Sequence, residues 1–184
     1  MRYSDTLFEE ELKNRVGEDF FADFNHSTIK GRVDFCIADK QTLGDEPIEY
    51  LWAEAKRDKA NLDHALVQLI LTIGRAHLHT EQSPPPYLGA FDATRIYFIP
   101  FHKLHDIFWM NDFNWSVTPS DHSSKEFSLV AERVQGIIEE ENLTFDFVKD
   151  EKELRKFIKK NFVVGKEKTT KIPITKTKFI TIYS

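Results

Sequence analysis

Residues 31–56 read GRVDFCIADKQTLGDEPIEYLWAEAK, and this stretch decides the fold that the sequence predicts. Its two ends, 31–39 and 48–56, are rich in β-branched and aromatic residues, and the segment between them is polar and contains a glycine. Such a pattern predicts two strands joined by a hairpin-type connection. A further strand is expected just before them, over residues 20–26, FFADFNH.

The rest of the chain predicts helices and strands in alternation. A first helix is expected from a cap at Ser4 or Asp5 to Gly17, and a second, apolar on most sides, over residues 62–79. Further strands are expected at 88–92, 95–100, 144–148 and 174–183, and further helices at 102–110, from the Ser120/Asp121 region to 142, and near 150–161. Together these elements predict an α/β domain with a central mixed sheet of about four or five strands flanked by helices.

Composition bounds the class of protein. Hydrophobic residues make up 41% of the 184 residues and charged residues 30%, which is typical of a soluble globular domain. The single cysteine, Cys36, excludes an internal disulfide framework or a cysteine-based zinc cluster, because both need several sulfurs. The acidic N-terminal region does not resemble a secretory signal, and the longest apolar run is too short to cross a bilayer. We expect a cytoplasmic protein with no membrane partner.

The net charge of −5 is unevenly distributed along the chain. Residues 1–150 carry a net charge of −12, whereas residues 151–184 carry +7. An acidic body is not expected of a protein whose whole surface binds nucleic acid, but it leaves room for a local basic strip or for an acidic metal site. Lys156, Lys159 and Lys160 are candidates for phosphate contacts, and a solvated lysine face is the alternative.

Asp34 and the triplet Glu54-Ala55-Lys56 form the strongest chemical pattern in the chain. Side chains alternate along a strand, so Glu54 and Lys56 share one side, and pairing of the two predicted strands brings Asp34 beside Glu54. Two converging carboxylates suit Mg²⁺, and a neighbouring lysine can position a water molecule and stabilise negative charge on a phosphate. The pattern favours metal-assisted hydrolysis of a phosphodiester.

A cross-strand salt bridge is the alternative interpretation of the same residues. In a chain with 30% charged residues, an Asp and a Glu-x-Lys at a suitable separation often arise by chance. The residues around them are apolar, however, and an unpaired carboxylate within an apolar strand is costly and usually has a function. We therefore favour the metal site.

With these residues identified, the chain resembles the PD-(D/E)xK nuclease superfamily. The shared pattern is a helix with a glutamate, an Asp on one strand of a hairpin, Glu-x-Lys on the next strand, and then a helix. The segments WAEAK, VQLILTIGRA, LGAFDATRIYFIP and NDFNWSVTPSDHSSKEF look, more narrowly, like the N-terminal region of large type IIG-like restriction–modification proteins. In those proteins a nuclease domain precedes an adenine-specific DNA methyltransferase. The narrower similarity spans most of residues 1–145.

The resemblance implies specific roles for the residues of the pattern. Asp34 and Glu54 would bind Mg²⁺, with Mn²⁺ able to replace it, and Lys56 would be the catalytic lysine. Val33 stands where the family usually has proline. Gln68 matches a glutamine that lies near the metal or the scissile phosphate in such nucleases, and a buried amide bonded to backbone is its alternative.

The glutamate of the first helix is less closely defined by the pattern. Glu9 and Glu11 lie at opposite borders of the apolar stripe, whereas Glu10 points more clearly to solvent. We prefer Glu9 as the catalytic-site glutamate and keep Glu11 as the alternative.

The predicted function is that of a Mg²⁺-dependent, type II restriction endonuclease-like domain acting on double-stranded DNA. We expect residues 1–184 to be one domain from the N-terminal part of a longer chain, with a catalytic core at 1–112 and a C-terminal extension with a basic tail at 113–184. The methyltransferase and target-recognition domains would lie in cis, outside this chain. The alternative is an inactive DNA-binding or docking module that supports an adjacent methyltransferase, and a protein-interaction domain using the helix at 121–142 is a third candidate.

Overall fold

A computed structural model of the chain describes residues 2–4, 7–27, 33–40, 47–57, 62–81 and 84–162. The predicted strand at 174–183 lies outside the described residues. The helices are α1 Glu9–Phe20, α2 Leu62–Arg75, α3 Leu78–Glu81, α4 His105–Phe108, α5 Lys125–Glu141 and α6 Glu151–Asn161, with a 3₁₀ turn at Phe101–Leu104. The strands are β1 Asn25–Ser27, β2 Phe35–Ala38, β3 Glu49–Ala55, β4 Tyr87–Phe91, β5 Arg95–Pro100 and β6 Thr144–Asp146.

The strands form one mixed sheet in the order β1-β2-β3-β4-β5-β6. All neighbouring pairs are antiparallel except β3 and β4, which run parallel and are connected through α2. The α/β class and the mixed sheet are confirmed, as is the antiparallel pairing of β2 with β3. The expected count of about four or five strands is wrong, because six strands belong to the sheet.

Helices cover both faces of the sheet, and each face has its own apolar cluster. On one face α2 and α5 pack over Trp52, Leu88 and Tyr97. On the other face α1 and α6 pack over Leu51, Phe91 and other residues of the same strands. This division follows from the alternation of side chains along each strand. Glu54 therefore shares the α2-covered side of β3 with Trp52.

The first helix differs from its prediction at both ends. Its N-cap is Phe8, which makes no side-chain capping hydrogen bond, so the expected cap at Ser4 or Asp5 is wrong. The helix also continues through Gly17, and His26 packs so closely there that a Cβ would lie 2.6 Å from its Nδ1 atom. The helix thus reaches Phe20 and absorbs the start of the strand predicted at 20–26, which is reduced to the short strand β1.

The region that follows β3 keeps its predicted order with shifted boundaries. The helix expected at 62–79 is interrupted after Arg75, where His77 has a φ of 55°. The long helix α5 is capped by the side chain of Ser124, which accepts from the backbone N–H of Phe127, and not by Ser120 or Asp121. Among the described residues, no helix has the length and apolar character needed to cross a membrane.

Candidate active site

Glu54 lies near the end of β3, at the edge of the sheet where β3 and β4 both finish. The antiparallel register pairs Phe35 with Ala53, and extending it by one residue places Asp34 opposite Glu54. Asp34 is half-buried in the bend that leads into β2, and Glu54 is only 6% exposed. The fold therefore brings the two predicted carboxylates to the same place.

Lys56 completes this group from the residue after the strand. Its Nζ donates to Oε1 of Glu54 at 2.7 Å, and its side chain is partly exposed while that of Glu54 is buried. The backbone N–H of Lys56 donates to the carbonyl of Phe91 at 2.9 Å, which extends the β3–β4 ladder by one bond. The backbone therefore fixes Lys56 between the buried carboxylate and solvent.

The surroundings of Glu54 raise the pKa of its carboxyl group. Burial, the largest cause, and the negative charges of Asp34 and Glu9 raise its pKa from an ordinary value of 4.5 to about 7. The hydrogen bond and positive charge of Lys56 act in the opposite direction without cancelling these effects. A carboxyl group tuned to neutral pH at the edge of a sheet is characteristic of functional sites.

The first helix contributes Glu9 to the same environment. Its carboxylate lies 3.8 Å from Nζ of Lys13, and its charge acts on Glu54. Glu11 instead forms an ion pair with Arg15 at 2.7 Å on an exposed part of the helix. The structure thus brings Glu9 towards Glu54 and Asp34 and turns Glu11 away from them.

Lys13 is a member of the site that the sequence interpretation missed. It is only 3% exposed, and its Nζ lies 2.9 Å from Oε1 of Glu10. Burial lowers the pKa of Lys13, but the hydrogen bond to Glu10 and the charges of Asp34, Glu10 and Glu9 raise it more, so the net shift is upward. Its position three residues before Val16 and seven before Phe20 is the signal for burial, because that spacing puts it on the apolar face of α1.

Phe8 and Arg57 form a second feature that the sequence interpretation missed. The guanidinium carbon of Arg57 lies 5.8 Å from the ring centroid of Phe8, within the range of a cation–π contact. Phe8 is 72% exposed and Arg57 is also exposed. Since these residues directly adjoin Glu9 and Lys56, an aromatic ring and a cation lie beside the candidate active site.

Gln68 lies on α2, the helix that covers the Glu54 side of the sheet. It is half-buried, and its backbone carbonyl accepts from the hydroxyl of Thr72 at 2.9 Å. Its side-chain amide makes no hydrogen bond with another described residue. The role of Gln68 near a metal or the scissile phosphate therefore stays a prediction, as does its alternative of a buried amide bonded to backbone.

The three lysines of α6 lie far from Glu54. Lys156, Lys159 and Lys160 are exposed on a helix whose C-terminal end meets the start of β4, where Tyr87 Oη donates to Asn161 Oδ1 at 3.1 Å. Glu54 pairs with Ala90 at the other end of that strand. The sheet does not bring these lysines to the carboxylates, and their contact with DNA stays a prediction.

The donor chemistry of the site fits the Mg²⁺ that the sequence pattern implies. Asp34 and Glu54 are hard oxygen donors, and their mutual repulsion together with Glu9 is what a divalent cation relieves. Within the described ranges, no group of three His, Cys, Asp or Glu residues is arranged to hold a metal ion. Two carboxylates would thus form the protein side-chain part of such a site, with backbone or water oxygens supplying the remaining ligands.

Comparison with protein-family models, with curated proteins and with solved structures finds no match to this chain.

Proposed function

We propose that this chain is a Mg²⁺-dependent DNA endonuclease domain of a restriction–modification protein, which hydrolyses phosphodiester bonds. The observation that carries the proposal is the state of Glu54, a buried carboxylate next to Asp34 and Glu9, with a pKa of about 7. Burial and like charges together make this arrangement costly for folding alone. Binding of a divalent cation explains why the chain keeps a buried carboxylate that is unfavourable for folding.

Each residue of the group has a distinct task in this proposal. Asp34 and Glu54 hold the cation, which when bound supplies a nucleophilic water and neutralises charge on the phosphate. Lys56, kept 2.7 Å from Glu54 and partly open to solvent, positions the attacking water and stabilises negative charge that develops on the phosphoryl oxygens. Glu9 adds a negative charge near the cation from α1, and Gln68 on α2 contacts the metal or the scissile phosphate in this proposal.

The surroundings of the site support a nucleic acid as the substrate. Arg57 and Phe8 offer a cation for a phosphate and an exposed ring at the same edge of the sheet. A bound divalent cation also reverses the sign of the local field, which the acidic body of residues 1–150 otherwise makes unfavourable for DNA. Recognition of a specific sequence, in this proposal, depends on target-recognition and methyltransferase domains in cis, and the location is cytoplasmic.

The test is nicking of supercoiled plasmid DNA with and without Mg²⁺. We expect metal-dependent nicking by the wild-type chain and a loss of about 100-fold or more in Glu54→Ala and in Lys56→Ala. Lys103→Ala is the matched control, because it also removes a lysine from ion pairs, with Glu140 and Glu141, away from the site. Nicking that both site variants retain in the presence of metal would refute the proposal.

The ion pair between Lys56 and Glu54 also supports a second candidate, an inactive docking or DNA-binding module. Lys56 already compensates part of the charge of Glu54, as a structural salt bridge would. A module of this kind binds no Mg²⁺ or Mn²⁺ through Asp34 and Glu54. Titration of the wild-type chain with either ion by calorimetry therefore separates the two functions.

A further inference from the structure

A cavity of about 600 Å³ opens between α4, the N-terminal half of α5 and the loop at 110–114. It contains no residue of the candidate active site. Its volume is within the range of small-molecule sites in proteins. Asp106 of α4, Trp109 just after it and Asp112 of the loop line one side, and Lys125, Glu126 and Arg133 of α5 line the other.

Trp109 presents an indole to this cavity. It is 59% exposed, which is unusual for so large an apolar side chain. The ring of His79 packs edge-on behind it with centroids 6.0 Å apart, and the ring of His105 lies at the same distance. A supported yet open indole is suited to stacking on a planar ligand ring.

The α5 side of the cavity carries two cations. Lys125 and Arg133 are both exposed, and neither makes an ion pair or hydrogen bond with another described residue. By contrast, Lys103, Arg15 and Arg155 all bind carboxylates of the protein. Cations that line a cavity without a partner in the described part of the chain favour an anionic ligand group.

Three carboxylates also line the cavity, namely Asp106 of α4, Asp112 of the loop and Glu126 of α5. Asp106 and Glu126 are hydrogen-bond acceptors that suit the exocyclic amino group of a nucleobase. All three carboxylates repel a phosphate, which Lys125 and Arg133 attract. The anionic group is therefore expected against Arg133 and Lys125, and the ring against Trp109.

We propose that this cavity binds a nucleotide, with the base stacked on Trp109 and the phosphate held by Arg133 and Lys125. The ligand is either a free mononucleotide or an unpaired nucleotide within a DNA strand, since both present the same chemistry. The site is independent of the proposed nuclease function, because the two share no residue.

Isothermal titration calorimetry at low salt, with EDTA present to prevent DNA cleavage, tests the proposal. The probes are dAMP, dCMP, dGMP and dTMP, a short single-stranded oligonucleotide, and the corresponding duplex. We expect saturable binding of at least one mononucleotide. Tighter binding of the single strand than of the duplex identifies a nucleotide within a strand as the ligand, and equal or weaker binding of the strand identifies the free nucleotide.

Two variants probe the opposite ends of the ligand. Trp109→Ala and Arg133→Ala should each weaken binding about tenfold or more, and Arg133→Ala guards against a folding effect because its side chain is exposed. Arg95→Ala, an exposed arginine on β5, is the matched control and should bind as the wild type does. Absence of binding by every probe, or wild-type affinity in both cavity variants, overturns the proposal whatever the outcome of the nicking assay.

Discussion

Nζ of Lys56 lies 2.7 Å from Oε1 of Glu54, two residues back on the same side of the strand. This contact lowers the pKa of Glu54, yet burial and the charges of Asp34 and Glu9 leave that pKa at about 7. The lysine therefore compensates only part of the negative charge at the edge of the sheet. The negative charge that Lys56 leaves uncompensated has consequences for stability, metal binding and DNA binding that can be measured separately.

The first consequence is a pH-dependent cost to folding. The pKa of Glu54 is about 7 in the folded state, against an ordinary value of 4.5. The contribution of Glu54 to stability is therefore fully present below about pH 4.5 and is lost as the pH rises through 7. At about 1.4 kcal/mol for each pH unit between these values, complete ionisation of Glu54 costs roughly 3 kcal/mol. Without divalent ions, Glu54→Gln should be more stable than the wild type near pH 8, and the two should converge near pH 4.5.

Urea unfolding at the two pH values measures this difference as a change in the transition midpoint. Glu11→Gln is the control, because Glu11 belongs to the exposed Glu11–Arg15 pair. Its stability difference from the wild type should be similar at the two pH values. A Glu54→Gln variant that is less stable than the wild type near pH 8 would show that the Lys56–Glu54 bond outweighs the cost of the buried charge.

The second consequence is stabilisation by metal. A cation that binds only the folded state raises the melting temperature, and the effect grows with the ratio of its concentration to the dissociation constant. We expect Mg²⁺ to raise the melting temperature of the wild type more near pH 8 than near pH 6, because protons compete for Glu54. Asp34→Asn and Glu54→Gln should abolish the shift in a thermal scan, whereas the exposed control Asp23→Asn should keep it. A full shift in the two site variants would place the cation elsewhere.

The carboxylates and Lys56 could be located from sequence because two simple regularities act on them. Alternation along a strand fixes which residues share a side, and the short chain segment between β2 and β3 fixes an antiparallel register. The burial of Glu54 follows from its apolar neighbours. These are local properties, so the sequence pattern was sufficient to predict them.

Lys13, Phe8 and Gly17 show what local patterns leave undetermined. Lysine is ordinarily solvated, and Lys13 is buried only because α1 packs across the acidic edge of the sheet. Phe8 is a large apolar residue, but the helix starts after it and leaves it exposed. Gly17 was expected to end the helix, but its role is to admit His26 from a neighbouring strand. Each case depends on how separate elements of the fold meet, which a local sequence pattern does not specify.

The third prediction concerns Lys13 as the cation that holds the acidic edge together. Lys13→Met keeps the length of the side chain but leaves Glu10, Glu9 and Asp34 without this compensation. We expect the free energy of unfolding near pH 8 to fall by about 1–3 kcal/mol, because the substitution removes the hydrogen bond and the charge that compensate these carboxylates. Mg²⁺ should restore more stability to this variant than to the wild type.

Arg15→Met is the control for Lys13→Met on the same helix. Arg15 also pairs with a glutamate four residues earlier, but on the exposed side. Exposed pairs contribute little, so its loss should change stability by less than about 1 kcal/mol and without dependence on Mg²⁺. Equal effects of the two substitutions on stability would show that Lys13 has no special role in the candidate active site.

The fourth prediction assigns a DNA contact to Arg57. The residue follows Lys56 directly, is exposed and lies over the ring of Phe8, so its guanidinium is held at the edge where the scissile phosphate would bind. Arg57→Ala should weaken duplex binding to a similar degree for all sequences and reduce the slope of log K against log salt by about one. Fluorescence anisotropy over a salt series without divalent ions measures both quantities.

Two further variants separate this contact from other cations. Arg75→Ala should leave the salt slope unchanged, because the exposed Arg75 ends α2, which returns the chain to the start of β4, at the opposite end of the sheet from the carboxylates. The triple substitution of Lys156, Lys159 and Lys160 by Ala tests the basic surface of α6, which lies at the far end of β4 from Glu54. If the triple variant lowers the slope while Arg57→Ala leaves it intact, phosphate binding belongs to α6 and not to the edge of the sheet. A lower slope in Arg57→Ala alone connects DNA binding to the same edge that carries Glu54 and Lys56.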